Sequence, residues 1–335
     1  MSTTDVEAPG APPAVASREA TRGRLSQVVK RVGPKYATTV FLVVMFAFFA
    51  AENGKRFYST DNISNILGQS SILGIVACGL TIPLIINSFD LSVGWAASFA
   101  GVLAATLAVN HGTVYAIAVT LAAGIAIGIV NGLVVSRLKV SSLIATLGMG
   151  AVLVGLAQKV NNSVVAGLPD DYTWLGQHKV GTIPVAAILM LILGGLLWVM
   201  ATQTPLGRSM YAIGGSREAS RLAGIRIGRI TIVALAISGM MAALGGIILS
   251  STVASGQPGA GDSLLLDGFT AAAIGTVTFR RGEYNVMGTV LAVLLLTTML
   301  NGMTMIGWEP YWQNIVKGVI LVAAVGASVG GGQDR

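Results

Sequence analysis

Long apolar runs separated by short polar breaks organise this chain of 335 residues. Ten runs can be delimited, at 36–51, 66–86, 91–109, 114–136, 142–160, 184–201, 231–253, 267–279, 286–306 and 312–329. Most approach the ~20 residues an α-helix needs to cross a bilayer. Inside lipid only a helix or a closed barrel satisfies its own backbone. The pattern predicts an all-α polytopic membrane protein with about ten transmembrane helices. The eighth run is too short for an ordinary crossing and reads as either a span or a re-entrant half-helix.

Composition supports this class. The chain is 53% hydrophobic and 10% charged, with a mean hydropathy of +0.76, whereas a soluble domain is about a quarter charged. Its 43 glycines suit close helix contacts in a membrane. The single cysteine, Cys78, lies in an apolar run and reads as a packing residue, so neither a disulfide framework nor a cysteine metal site is expected. His111 and His178 fall in different polar loops, so no metal site is expected there either. The net charge of +7 does not imply nucleic acid, because Lys and Arg placement sets topology in a membrane protein.

Charge then divides the chain. Residues 1–35 form a polar, then basic, largely disordered tail, which we place in the cytoplasm. Residues 36–330 form one transmembrane domain, and 331–335 a short tail. With the N-terminus inside, sixteen of the 21 Lys and Arg fall on the inner side and four on the outer, with Lys317 in the last span. That asymmetry predicts ten crossings and cytoplasmic termini. Lys317 sits near the outer boundary, where snorkelling to that face is the expected behaviour. In the outer loop 161–183, Tyr172 and Trp174 read as interfacial anchors, or as part of a surface for an extracytoplasmic protein.

The longest hydrophilic interruption of the second half, 204–229, carries Arg208, Arg217, Arg221, Arg226 and Arg229. Ser216 can cap a helix from Arg217 to Ala223, and Gly224 can end it. Ala219, Leu222 and Ala223 then make a small apolar face beside Glu218 and the arginines. The stretch is either a solvated, orientation-setting loop or a helix that docks a cytoplasmic partner.

A second polar stretch, 87–94, joins two spans with almost no loop. A carboxylate at the centre of a span costs ~2.5–3.5 kcal/mol, so Asp90 must find partners, a wet cavity or an interface. It reads as a helix cap with Ser92, or as lining of a permeation route. Phe89, Trp95 and Phe269 offer flat apolar faces for a polar solute, and Asn131, Thr276, Asn301 and Gln69 offer polar ones. Each of the polar groups can equally serve as glue between helices. No P-loop, nucleophile elbow or H-E-x-x-H is present, so neither catalysis nor ATP hydrolysis is expected of this chain.

Several motifs resemble a known family. Glu218-Ala219-Ser220, three residues, then Gly224 resembles the E-A-A-x-x-x-G loop of ABC importer permeases. Asp90-Leu91-Ser92-Val93-Gly94 resembles the G-G-x-D-L-S-V-G signature of the ribose and simple-sugar branch, with Asn87-Ser88 standing where that branch has Gly-Gly. Gly275, Gly282, Gly288 and Thr289 fit its late glycine-rich segment, although Ile274 and Arg280-Arg281 replace glycines there. The run Tyr311 to Gly318 is similar to its W-Q-x-x-V-K-G ending. The resemblance covers roughly 60–328.

The resemblance implies the fold of an ABC importer permease core, working by alternating access on a simple sugar or polyol. It implies that Glu218, Ala219, Arg221, Gly224 and Arg217 couple to a cytoplasmic ATPase subunit, which binds the ATP and Mg²⁺. It further implies an extracytoplasmic sugar-binding protein and a second permease copy, both beside membrane lipid. The rival expectation is an ion-coupled secondary carrier, for which Asp90 and Lys317 are the sparse titratable candidates.

Overall fold

A computed structural model describes residues 38–279 and 282–330. The expected tail at 1–35, the Arg280-Arg281 turn and the tail at 331–335 lie outside the described residues. Ten helices answer the ten apolar runs. They are α1 (Thr38–Arg56), α2 (Thr60–Ile85), α3 (Val93–His111), α4 (Thr113–Arg137), α5 (Ser142–Val160), α7 (Val185–Gln203), α10 (Ile227–Thr252), α11 (Ser263–Gly275), α12 (Val286–Met305) and α13 (Pro310–Gly330). Among the described helices, eight are long and apolar enough to cross a membrane; α11 is shorter.

Three further helices lie between the spans: α6 (Asp170–Gln177), α8 (Pro205–Gly215) and α9 (Arg217–Leu222). A two-residue hairpin pairs β1 (Lys179–Val180) with β2 (Ile183–Pro184). The polar run after α7 was not expected to hold α8. Thr204 starts that helix by accepting the Gly207 N–H at 3.3 Å, with Pro205 at its first position. Met210 and Ile213 anchor it in the core.

Helix α2 is the most enclosed span, and α10 packs along α4, α3 and α2. The tightest seam is α4 on α10. Gly124, Gly128 and Gly132, four residues apart on one face of α4, meet Gly239, Leu235 and Ile232 of α10 backbone to backbone. Small residues at this spacing let helices approach closely where no hydrophobic effect drives them together.

Polar rungs join α2 to α12. Thr81 and Thr289 hydroxyls lie 2.8 Å apart, and those of Ser70 and Thr297 2.5 Å apart. At the far end, Asn62 and Asn301 exchange two amide bonds of 3.0 Å. Asn301 is thus a clasp between helices.

The loop at 161–183 corrects one expectation. Tyr172 on α6 is not an interfacial anchor, being 1% exposed. Its hydroxyl reaches Ser250 Oγ on α10 at 2.6 Å, and burial pushes its pKa up to about 12. The apolar ring buries more surface against α10 than a membrane interface would offer it. Trp174 is half exposed and stacks on His178, with centroids 4.8 Å apart.

Candidate functional site

One end of the bundle is basic. There α9 is capped as its sequence suggests. Ser216 is extended and its Oγ accepts the Ala219 N–H at 3.2 Å. Gly224 has φ of +78°, a conformation in which a Cβ would be strained. Ser220 is buried, turning Ala219, Leu222 and Ala223 outward. Leu222 is 80% exposed. Arg221 reaches Glu218 at 2.8 Å on the same open surface. Exposed pairs of this kind contribute little stability, and an exposed leucine contributes none. The outer face of α9 is therefore not explained by folding.

Beside α9 lies a cleft of about 720 Å³ lined by Asn87, Phe89, Lys139, Ser142, Arg217 and Glu218, among others. Asn87 has φ of +54°, a left-handed conformation that Gly and Asn tolerate best. Asn87 thus makes a turn that glycine would also make. Its amide also donates to Gly214 O at 2.8 Å, tying the α2–α3 loop to the end of α8. This hydrogen bond joins the end of α8 to the loop that carries Asp90.

Asp90 is 1% exposed. Its Oδ1 accepts the Ser92 N–H at 3.1 Å and the Ser92 hydroxyl at 2.6 Å. Asn131 of α4 donates to Ser92 Oγ at 3.0 Å. Ser238 of α10 stands beside the carboxylate without closing to hydrogen-bond geometry. Ser92 occupies the cap position of α3 but makes no side-chain cap bond, so Asp90 is held in a turn ahead of the helix. The next backbone groups bond to α5, Leu91 N–H to Thr146 Oγ1 at 2.9 Å and Phe89 N–H to Ser142 Oγ at 3.1 Å.

Replacing Asp90 by Leu would strand the Ser92 N–H and hydroxyl, at about 1–3 kcal/mol for each buried group. We expect a lower melting temperature and less folded protein for Asp90→Leu, with Asp90→Asn closer to wild type. Identical melting of Asp90→Leu and wild type in detergent would show the carboxylate to be dispensable to the fold.

Of the other pathway candidates, Phe89 and Phe269 meet in a stack 6.2 Å between centroids. Thr276 bonds back to its own helix at Ala273 O, 2.7 Å away. Asn131 joins the Asp90 turn and Asn301 the α2–α12 clasp. Gln69 is exposed on α2.

Lys317 does not snorkel. Its Nζ lies 2.9 and 3.0 Å from the Asp267 carboxylate oxygens on α11, with the side chains 12% and 13% exposed. A carboxylate within reach on a neighbouring helix is a better partner for the ammonium than the membrane face. Sequence reasoning passed over Asp267, although an acid within one apolar run and a lysine within another was an available signal.

A bundle of apolar helices with a polar seam and a short exposed helix at its basic end defines a multi-pass membrane permease. The family model described as "Branched-chain amino acid transport system / permease component" matches residues 62–325, and the chain belongs to that family. It is similar to the ribose import permease protein RbsC of Bacillus subtilis (strain 168), 34% identical over 302 residues, 89% of this chain and 92% of the relative. The ribose import permease protein RbsC of Escherichia coli (strain K12) is 33% identical over 292 residues, 85% and 91% of the two chains. The galactose/methyl galactoside import permease protein MglC of the same strain is 32% identical over 307 residues, 85% and 91%. No solved structure matches the chain. The chain is an ABC transporter permease of the cell membrane and not an enzyme.

Proposed function

We infer that this chain is the translocating subunit of an ABC importer for a monosaccharide or polyol. The similarity to ribose and galactose import permeases supports the substrate class. The observation that carries the mechanism is α9, a capped helix whose Leu222, Glu218 and Arg217 face outward at the basic end. By the positive-inside rule that end is cytoplasmic, as are both termini. A separate ATPase, which binds the ATP and Mg²⁺, docks on α9. An extracytoplasmic binding protein delivers the sugar, and a second copy of the chain completes the pathway. Closure of the ATPase pushes α9, and the Asn87–Gly214 link passes the motion to the loop beside the cleft.

Glu218→Lys tests this reading. The side chain is exposed, so the variant inserts and folds normally. ATP-driven uptake of labelled ribose or galactose is expected to fall at least tenfold, about 1.4 kcal/mol of lost coupling, with loss of ATPase co-purification. Full uptake by this variant would remove α9 from the coupling path. An ion-coupled carrier needs free titratable groups in the membrane. Asp90 and Asp267 are both engaged, with Ser92 and Lys317. Uptake that survives ATP depletion but not an ionophore would favour the carrier.

A further inference from the structure

Helix α9 buries only Ser220 of its own residues and follows α8 with just Ser216 between them. It is therefore through α8 that α9 is seated on the bundle. Gly207, Met210, Tyr211 and Gly214 of α8 lie three and four residues apart, on one helix face. Gly214 rides on the end of α2, where a Cβ would fall 2.1 Å from Ile85 O, and its carbonyl takes the Asn87 amide. Three residues earlier, the Tyr211 hydroxyl donates to Tyr284 O at 3.1 Å. Tyr284 precedes Asn285, which caps α12 by accepting the Gly288 N–H at 2.7 Å. The Asn285 amide also donates to Gly275 O, at the end of α11, at 3.1 Å. Gly275 and Gly288 meet there backbone to backbone, since a Cβ on Gly288 would fall 2.3 Å from Gly275 O. Contact of this kind cannot yield by a rotamer change, so the end of α11 and the start of α12 behave as one corner. The two structures that α8 holds also touch each other, through Phe89 stacked on Phe269 of α11. The contacts close a circuit from α8 to the 86–92 loop, to α11, to the start of α12 and back to α8 at Tyr211.

We propose that Tyr211 is a positioning residue for transport, keeping the α11–α12 corner in step with α9 when the ATPase drives that helix. With the Asn87 link alone, a shift of α8 would carry the 86–92 loop and leave α11 behind. Phe89, which lines the cleft beside α9, would then slide off Phe269. With Tyr211 holding the corner, both sides of the stack move together and the cleft wall moves as a unit. The aromatic ring of Tyr211 packs on the core and anchors α8 whether or not the hydroxyl is present. The hydroxyl is what reaches the corner. This inference rests on the importer reading, because it needs an ATPase seated on α9.

Tyr211→Phe tests it, since the substitution deletes one hydroxyl and keeps the ring. Uptake of labelled ribose and galactose is measured in cells. ATP hydrolysis and melting temperature are measured on the complex purified from the same cells. Tyr211→Phe is expected to melt as wild type does, to co-purify the ATPase and to hydrolyse ATP. Its uptake per ATP hydrolysed is expected to fall about fivefold, the typical worth of one neutral hydrogen bond. Asn87→Gly keeps the left-handed turn but loses the amide, and combining it with Tyr211→Phe is expected to abolish uptake while hydrolysis continues. Wild-type uptake per ATP in Tyr211→Phe would overturn the proposal. So would a loss of uptake fully matched by lower melting temperature and less recovered complex, which marks a bond that serves the fold alone. Glu218→Lys, run in parallel, separates this proposal from the reading beneath it. Full uptake by Glu218→Lys removes α9 from the path and takes the proposal with it. Lost uptake there, with full uptake in Tyr211→Phe, removes Tyr211 alone.

Discussion

Substituting isoleucine for Gly128 is expected to leave essentially no folded protein in the membrane. Local propensity argues the other way, since isoleucine is a better helix former than glycine by roughly 0.5 kcal/mol. Packing reverses the sign. A Cβ on Gly128 would fall on the Leu235 carbonyl and within 2.6 Å of Ala236 Cα. These are backbone atoms of α10, which no rotamer change can move aside. The helices must separate, and Gly124 and Gly132 then lose their contacts on the same seam. Overpacking in a yielding core costs ~1–3 kcal/mol; a rigid seam shared by two long helices costs more. The check is fluorescence-detected size-exclusion of detergent extracts. A monodisperse peak at wild-type height for Gly128→Ile would show that α4 and α10 are not held by this seam. Gly148, beside whose Cβ position nothing lies within 4 Å, serves as the control, and Gly148→Ile is expected to fold.

That contrast marks what the sequence made legible. The long spans were readable because length and apolarity are local properties, and α5 ends where the pattern places it, at Ser142 and Val160. The helix α9 was readable for the same reason, since Ser216 and Gly224 act on their own neighbours. The eighth run shifts by four residues, because Asp262 and Ser263 belong to a helix start tucked against Ser98 rather than to a loop. At 13 residues, α11 is about 20 Å long, short of a ~30 Å hydrocarbon core. A glycine's role also resisted reading. Gly128 and Gly148 look alike in sequence, and only the facing helix distinguishes them. The same holds for polar groups whose partners are remote, such as Asn62 and Asn301, 239 residues apart.

Removal of the Lys317 charge is the second change with a large expected effect. Asp267 sits on α11, whose main neighbours include α12, α2 and α13. Lys317 fastens α13 to it through a bidentate contact in a largely enclosed setting. Taking one member of a buried pair leaves an uncompensated charge, at ~3–5 kcal/mol. Lys317→Met is therefore expected to melt at a much lower temperature and to release α13 to added protease. Removing both charges is different, since an apolar pair of similar volume is often neutral for stability. Asp267→Leu with Lys317→Met is expected to recover most of the melting temperature, and the exchanged pair Asp267→Lys with Lys317→Asp a part of it. If Lys317→Met alone melts as wild type does, the ion pair is not what holds α13. If the double apolar variant folds but loses ATP-driven uptake, the pair serves transport and not only assembly.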